Sequence, residues 1–201
     1  MTEAPVVMYC SLMEDVKGRI GFVRRITSGQ LSVDSNQFAY ECVSVQLRKV
    51  LELIAFASLC ANKGKYAEAY ADFSTHWRAK ALLQALKRLH PDFYPTPMKP
   101  PVTKPDGTKH LDRVVDGFLT PDEFIALYDK CSDVIHTRNP FSTLEPGIDF
   151  VHSVDQWLGK IMALLQLHLV RLAGTSEVWV VSMHEPSDGR VHAYIASPKA
   201  G

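Results

Sequence analysis

Long hydrophobic runs are missing from this chain. The most apolar window, Leu53 to Ala61, covers about half of the roughly 20 residues that a membrane-spanning helix requires, so no membrane partner is expected. The opening residues Met1-Thr2-Glu3 lack a basic leader region, and Glu14 and Asp15 interrupt the apolar pattern early; a soluble, cytoplasmic protein is expected. An excess of charge of one sign is missing too. The 22 Lys and Arg residues balance 22 Asp and Glu, which leaves no global basic field to hold nucleic acid, although a local patch is still possible. Cysteine is scarce: Cys10, Cys42, Cys60 and Cys131 are scattered without CxxC spacing and read as reduced core residues. The histidines show neither HExxH nor HxxxH spacing, so no metal site is expected, and no cofactor. There is no Gly-rich phosphate loop, no GxSxG and no dinucleotide fingerprint, which removes the NTPase, serine hydrolase and Rossmann readings.

What is present is helical periodicity. A chain of 201 residues that is 46% hydrophobic fits one helical domain, residues 1–201, with a sizeable core. Its centre is the stretch from Asn36 to Lys63. Val43, Leu47, Val50, Leu51, Ile54 and Ala61 fall on one arc at 100° per residue, with Glu41, Arg48 and Glu52 opposite them. After Glu52 no charge interrupts the run to Ala61, as expected of a helix surrounded by protein, and Gly64 is read as its stop. Before it, residues Thr2 to Ser28 form a helix with Thr2 as N-cap and an apolar seam of Tyr9, Met13, Val16, Ile20 and Val23. The cluster Lys17, Arg19, Arg24 and Arg25 near its end is either a solvated face or a phosphate-contacting patch.

A third helix begins between Tyr66 and Phe73, carries Phe73 and Trp77, and closes before Pro91. Residues 91–119 contain six prolines between Pro91 and Pro105 and read as a long loop, docked through Phe93, Tyr94 and Met98. Thr120-Pro121-Asp122-Glu123 is a helix start with a capping box, and that helix ends near His136 because Pro140 disfavours helical geometry before it. A fifth helix is expected from Gly147 or Asp149 to Ala173, capped by Gly174. The period then changes to two, and Pro186-Ser187-Asp188-Gly189 supplies a turn, so residues 175–201 form a β-hairpin. The fold class is mainly α: a helical bundle of about five helices with a C-terminal β-hairpin. With no other strand in view, the hairpin's edges suggest a homodimer.

The residues with the most chemistry in one place are Ser132 to Phe141, where an apolar helix ends in polar side chains. His136 can exchange a proton near neutral pH, Arg138 can stabilise a phosphate, and Asn139 can orient either. Against this stands the ordinary role of His and Arg at a helix C-terminus and of Asn before Pro. Arg48 and Glu52, at i,i+4 on the central helix, can pair; they either line a binding pocket with His136 or mark a solvent face. A helical bundle with a Glu-bearing central helix and a late helix marked by Arg and His resembles the HEPN family, many of which are RNases of defence or toxin systems. The family motif sets its Arg ahead of the His, where this chain has Lys130, and Arg138-Asn139 follow His136 instead. The resemblance therefore carries over His136 as a catalytic residue, and it implies metal-independent cleavage of RNA, or nucleotide binding, by a pair of sites across a dimer. The other reading is a noncatalytic helical interaction protein whose hairpin and proline-rich loop bind a partner.

Overall fold

The computed structural model describes residues 4–69, 79–136 and 152–197. Helix α2, Asn36–Ala61, sits at the centre, with Val43, Leu47, Val50, Leu51, Ile54, Ala55 and Ala57 all buried. The Ser35 hydroxyl starts it by accepting the Phe38 N–H at 3.2 Å. Helix α1, Pro5–Thr27, lies along α2 through the expected seam of Tyr9, Met13, Val16, Ile20 and Val23. Its N-cap is Ala4, without a side-chain cap; Thr2 falls outside the described residues.

The central helix stops by a different device from the one the sequence suggests. Gly64 lies inside a following short helix, α3, Lys63–Ala69, and the stop is Asn62. Its buried side chain donates from Nδ2 to the Ser58 carbonyl at 2.8 Å and accepts the Ala173 N–H at Oδ1, at 3.1 Å. One amide thus occupies a free carbonyl near the helix end and ties that end to a distant backbone segment. Asn62→Leu removes both bonds and leaves a buried N–H and C=O unpaired, so a loss of roughly 2 kcal/mol is expected from urea unfolding. A change under about 0.5 kcal/mol would show the tie to be dispensable. The expected third helix is represented by α3 and by α4, Ala79–Leu89; Phe73 and Trp77 lie outside the described residues.

The proline-rich segment carries three short strands, β1 (Thr96–Pro97), β2 (Val102–Thr103) and β3 (Lys109–His110), the last two paired around an Asp106-Gly107 turn. It packs inward through buried Phe93 and Met98, and the Tyr94 hydroxyl donates to the Leu119 carbonyl at 3.0 Å. Helix α5, Pro121–Ile135, starts with the expected Thr120–Glu123 capping box and ends at His136.

The stretch expected as a fifth helix divides in two. Helix α6, Val154–Leu165, opens on a second capping box, Ser153 with Gln156, and strand β4, Leu167–Arg171, follows it. The run Leu164 to Leu172 is apolar enough to fit both periods. The period of two wins because β4 pairs residue for residue with β5, Val178–Ser182, while burying His168 and Val170 on its inner face. Gly174, at φ +78°, serves the β4–β5 connection rather than a helix end. Strand β5 pairs in turn with β6, His192–Ala196, as the expected antiparallel hairpin, and the sheet order is β1-β4-β5-β6. The hairpin is therefore not alone: β4 covers one side of β5, and among the described residues β6, on its other side, is the edge of the sheet. The inner face, with Val170, Trp179 and Val181, joins the helices in the core. Among the described residues, no helix is long and apolar enough to cross a membrane.

Candidate functional site

Helices α2 and α5 pack against each other, and three polar side chains meet on their seam. Arg48 and Glu52, one helical turn apart, pair at 3.2 Å from Nε to Oε1. The Tyr128 hydroxyl donates to the same Glu52 oxygen at 3.3 Å, and the Arg48 guanidinium lies 4.9 Å from the centre of the Tyr128 ring. Each side chain is thereby held by two partners. The carboxylate accepts twice, the cation is neutralised and stacked, and the phenol bridges the helices. The pair is about three-quarters buried, so Arg48 and Glu52 form an interhelical latch at the rim of the core rather than a freely solvated face. Tyr128 is one of the buried positions of α5, beside Phe124, Leu127 and Cys131. Nothing in its spacing marks it as the residue that bonds Glu52. Glu52→Ala is expected to cost about 2 kcal/mol, the net value of one charged hydrogen bond and one part-buried ion pair, measured by urea unfolding. Tyr128→Phe should cost less, because the ring remains on the guanidinium; equal losses would contradict the stacked arrangement.

Farther along α5, Cys131 is buried, and burial pushes its thiol up to about 12 despite the opposing pull of the Arg48 charge. It is a core thiol, not a nucleophile. At about 1.5 Å of rise per residue, His136 lies about 12 Å along α5 from Tyr128, the residue that meets Arg48 and Glu52. His136 is exposed at the C-cap, and its backbone N–H closes the helix on the Ser132 carbonyl at 3.2 Å. At ψ 131° the chain leaves the helix there. Arg138 and Asn139 lie outside the described residues. The described part of the predicted site is thus a paired Arg48 and Glu52 held by Tyr128 and, two turns farther along α5, an exposed His136, with no described contact joining the two.

The basic cluster of α1 divides. Lys17 pairs with Glu14 at 3.1 Å and donates to the Gly189 carbonyl at 2.7 Å, while Arg19 pairs with Asp15 at 3.1 Å and donates to Gln46 at 2.8 Å, so both are engaged within the fold. Arg24 and Arg25 instead line an open groove of about 520 Å³ with Thr27, Ser28, Gln30 and Asp155. The groove forms where the end of α1 meets the start of α6, and the Thr27 hydroxyl donates to Asp155 at 3.4 Å across it. Among the described residues, no group of three or more His, Cys, Asp and Glu side chains is gathered closely enough to hold a metal ion.

A second polar group, in the core, has no counterpart in the sequence reading. His168, fully buried on β4, bonds the Leu165 carbonyl from Nδ1 at 2.7 Å and the Tyr9 hydroxyl at Nε2, also at 2.7 Å. A carbonyl can only accept, so the proton sits on Nδ1 and Nε2 accepts the Tyr9 O–H. Burial pulls the imidazole down to about 4, against the opposing carbonyl bond. Burial likewise raises the Tyr9 hydroxyl far above its ordinary range. With both partners sealed from water, the pair is a structural bolt between α1 and the sheet.

No family model, no curated protein and no solved structure matches this chain.

Proposed function

We propose that this chain is a HEPN-like, metal-independent protein that cleaves RNA or binds nucleotides, with His136 as the acid or base. The observation that carries the reading is the exposure of His136: an open imidazole where α5 ends, on the helix whose Tyr128 holds Arg48 and Glu52. A proton-transfer group must reach its substrate, and a solvent-open helix end meets that requirement where a buried histidine such as His168 does not. Arg138 would neutralise the scissile phosphate and Asn139 would orient it. Arg48, paired to Glu52 and stacked on Tyr128, would serve with Glu52 as a binding residue on the adjoining helix α2. The protein would act as a cytoplasmic homodimer with a pair of sites.

The test is incubation of the purified protein with single-stranded RNA in the presence of a chelator. Cleavage that disappears with His136→Ala is the expected result. Equal cleavage by both proteins would point to a contaminating nuclease.

A noncatalytic interaction protein is the second reading, favoured by the uncovered side of the sheet, where Tyr194 and Ile195 of β6 are exposed. Under that reading RNA stays intact and His136→Ala changes nothing.

A further inference from the structure

The two edges of the four-stranded sheet are treated differently. Beyond β1 the chain covers its own edge: Val114 donates its N–H to the Pro97 carbonyl at 3.0 Å, Lys99 to the Asp112 carbonyl at 2.8 Å, and Met98 bridges to Arg113. Pro97 itself has no N–H to offer there. Beyond β6 no described residue pairs. Natural edge strands are usually blunted by Pro, by Lys, by a bulge or by shortness. Strand β6, His192-Ala193-Tyr194-Ile195-Ala196, is five residues long and contains no Pro and no Lys or Arg.

Large apolar side chains are exposed beside that open edge on both of its faces. Tyr194 is 51% exposed on one face and Ile195 61% on the other. Helix α1 adds a third. Lys17 donates to the Gly189 carbonyl at 2.7 Å and Glu14 accepts the Val191 N–H at 2.6 Å, so α1 descends as β6 ascends. Seven helical residues back from Glu14 cover about 10 Å and four strand residues on from Val191 about 13 Å, which puts Val7, 48% exposed, at about the height of Ile195. Tyr194 and Ile195 thus flank the one edge of β6 that no described residue covers, with Val7 at the same height.

We infer that the open edge of β6 pairs antiparallel with β6 of a second copy of this chain, making one continuous sheet across a two-fold axis. A second copy fits because the strand is self-matching. Centred on Tyr194, an antiparallel register sets Tyr194 opposite its counterpart, Ala193 opposite Ile195 and His192 opposite Ala196, with no Lys, Arg, Asp or Glu opposite a like charge within the strand. The inference rests on the homodimer in the proposed function and names its interface; it is independent of RNA cleavage.

Sedimentation velocity at micromolar concentration tests it. The intact chain is expected at twice the 22.5 kDa monomer mass, and the double variant Tyr194→Lys, Ile195→Lys at the monomer mass, with an unchanged helical circular dichroism spectrum. Both substituted positions are exposed, so folding of the monomer does not depend on them. Tyr194→Cys gives a second measure: under mild oxidation it should form a disulfide-linked dimer on a non-reducing gel, while Val115→Cys, on an exposed site of another segment, should not. A monomeric intact chain would overturn the inference and the homodimer together. A dimer that survives both lysines, or cross-links no better through Tyr194→Cys than through Val115→Cys, would overturn the β6 interface alone.

Discussion

Lowering the pH from 7 to 4 is expected to remove about 3 kcal/mol of stability through His168 alone. The folded chain holds this imidazole at about 4, whereas in the unfolded chain it titrates near its ordinary value of 6.5. The folded value is the lower one, so between the two the unfolded state binds the extra proton. The stabilisation is complete above about pH 6.5 and is lost progressively as the pH falls toward 4. Protonation also breaks the geometry. Nε2 would become a donor facing the Tyr9 hydroxyl in a site closed to water. Urea midpoints for the wild-type chain should fall steeply across this interval. His168→Leu should be less stable at pH 7 by about 3 kcal/mol, because the Tyr9 hydroxyl and the Leu165 carbonyl lose their partner, and its midpoints should be nearly flat from pH 6.5 to 4.5. A variant that keeps the wild-type slope would mean that another group, not His168, carries the pH dependence.

His136→Ala should lower the rate of RNA cleavage by at least ~100-fold, the lower range of what a positioned general acid or base contributes. Stability should hardly change. The side chain is exposed at a helix C-cap, and the bond it makes there is through its backbone N–H, which alanine retains. That separation distinguishes His136 from the latch. Glu52→Ala should lower stability and, by freeing Arg48, reduce cleavage less than His136→Ala. If loss of activity tracked loss of stability across the two variants, His136 would have no special chemical role.

Local signals carried the helical part of the fold into the sequence. The α1 seam, the arc of α2 and the Thr120–Glu123 box each depend on residues within a turn or two of one another, and each appears in the structure as read. The errors fall where a distant partner decides. Leu167 to Arg171 is apolar at both periods, and pairing with β5 makes it a strand. Asn62 overrides Gly64 as the helix stop because it reaches Ala173, 111 residues away. The candidate site divides in the same manner. Arg48 and Glu52 at i,i+4 were legible as a pair, but their capture by Tyr128 depends on how α2 and α5 cross. The Tyr9–His168 bolt spans 159 residues, and no spacing rule could have joined them. Once β4 is recognised as a strand, the alternation that places His168 inward between Leu167 and Leu169 is the signal that was present and misread.

The most direct test of the central claim uses one single-stranded RNA in two forms, all-ribose and all-2′-deoxyribose, incubated with wild type and His136→Ala in the presence of a chelator. Without a metal-activated water, the 2′-hydroxyl is the nucleophile available next to each phosphate. His136 then moves a proton from that hydroxyl or to the departing 5′ oxygen. The account predicts cleavage of the ribose form by wild type, leaving 2′,3′-cyclic phosphate ends, with no cleavage of the deoxy form and none by His136→Ala. Intact ribose RNA after incubation with the wild-type chain, or equal cleavage by the variant, would contradict it.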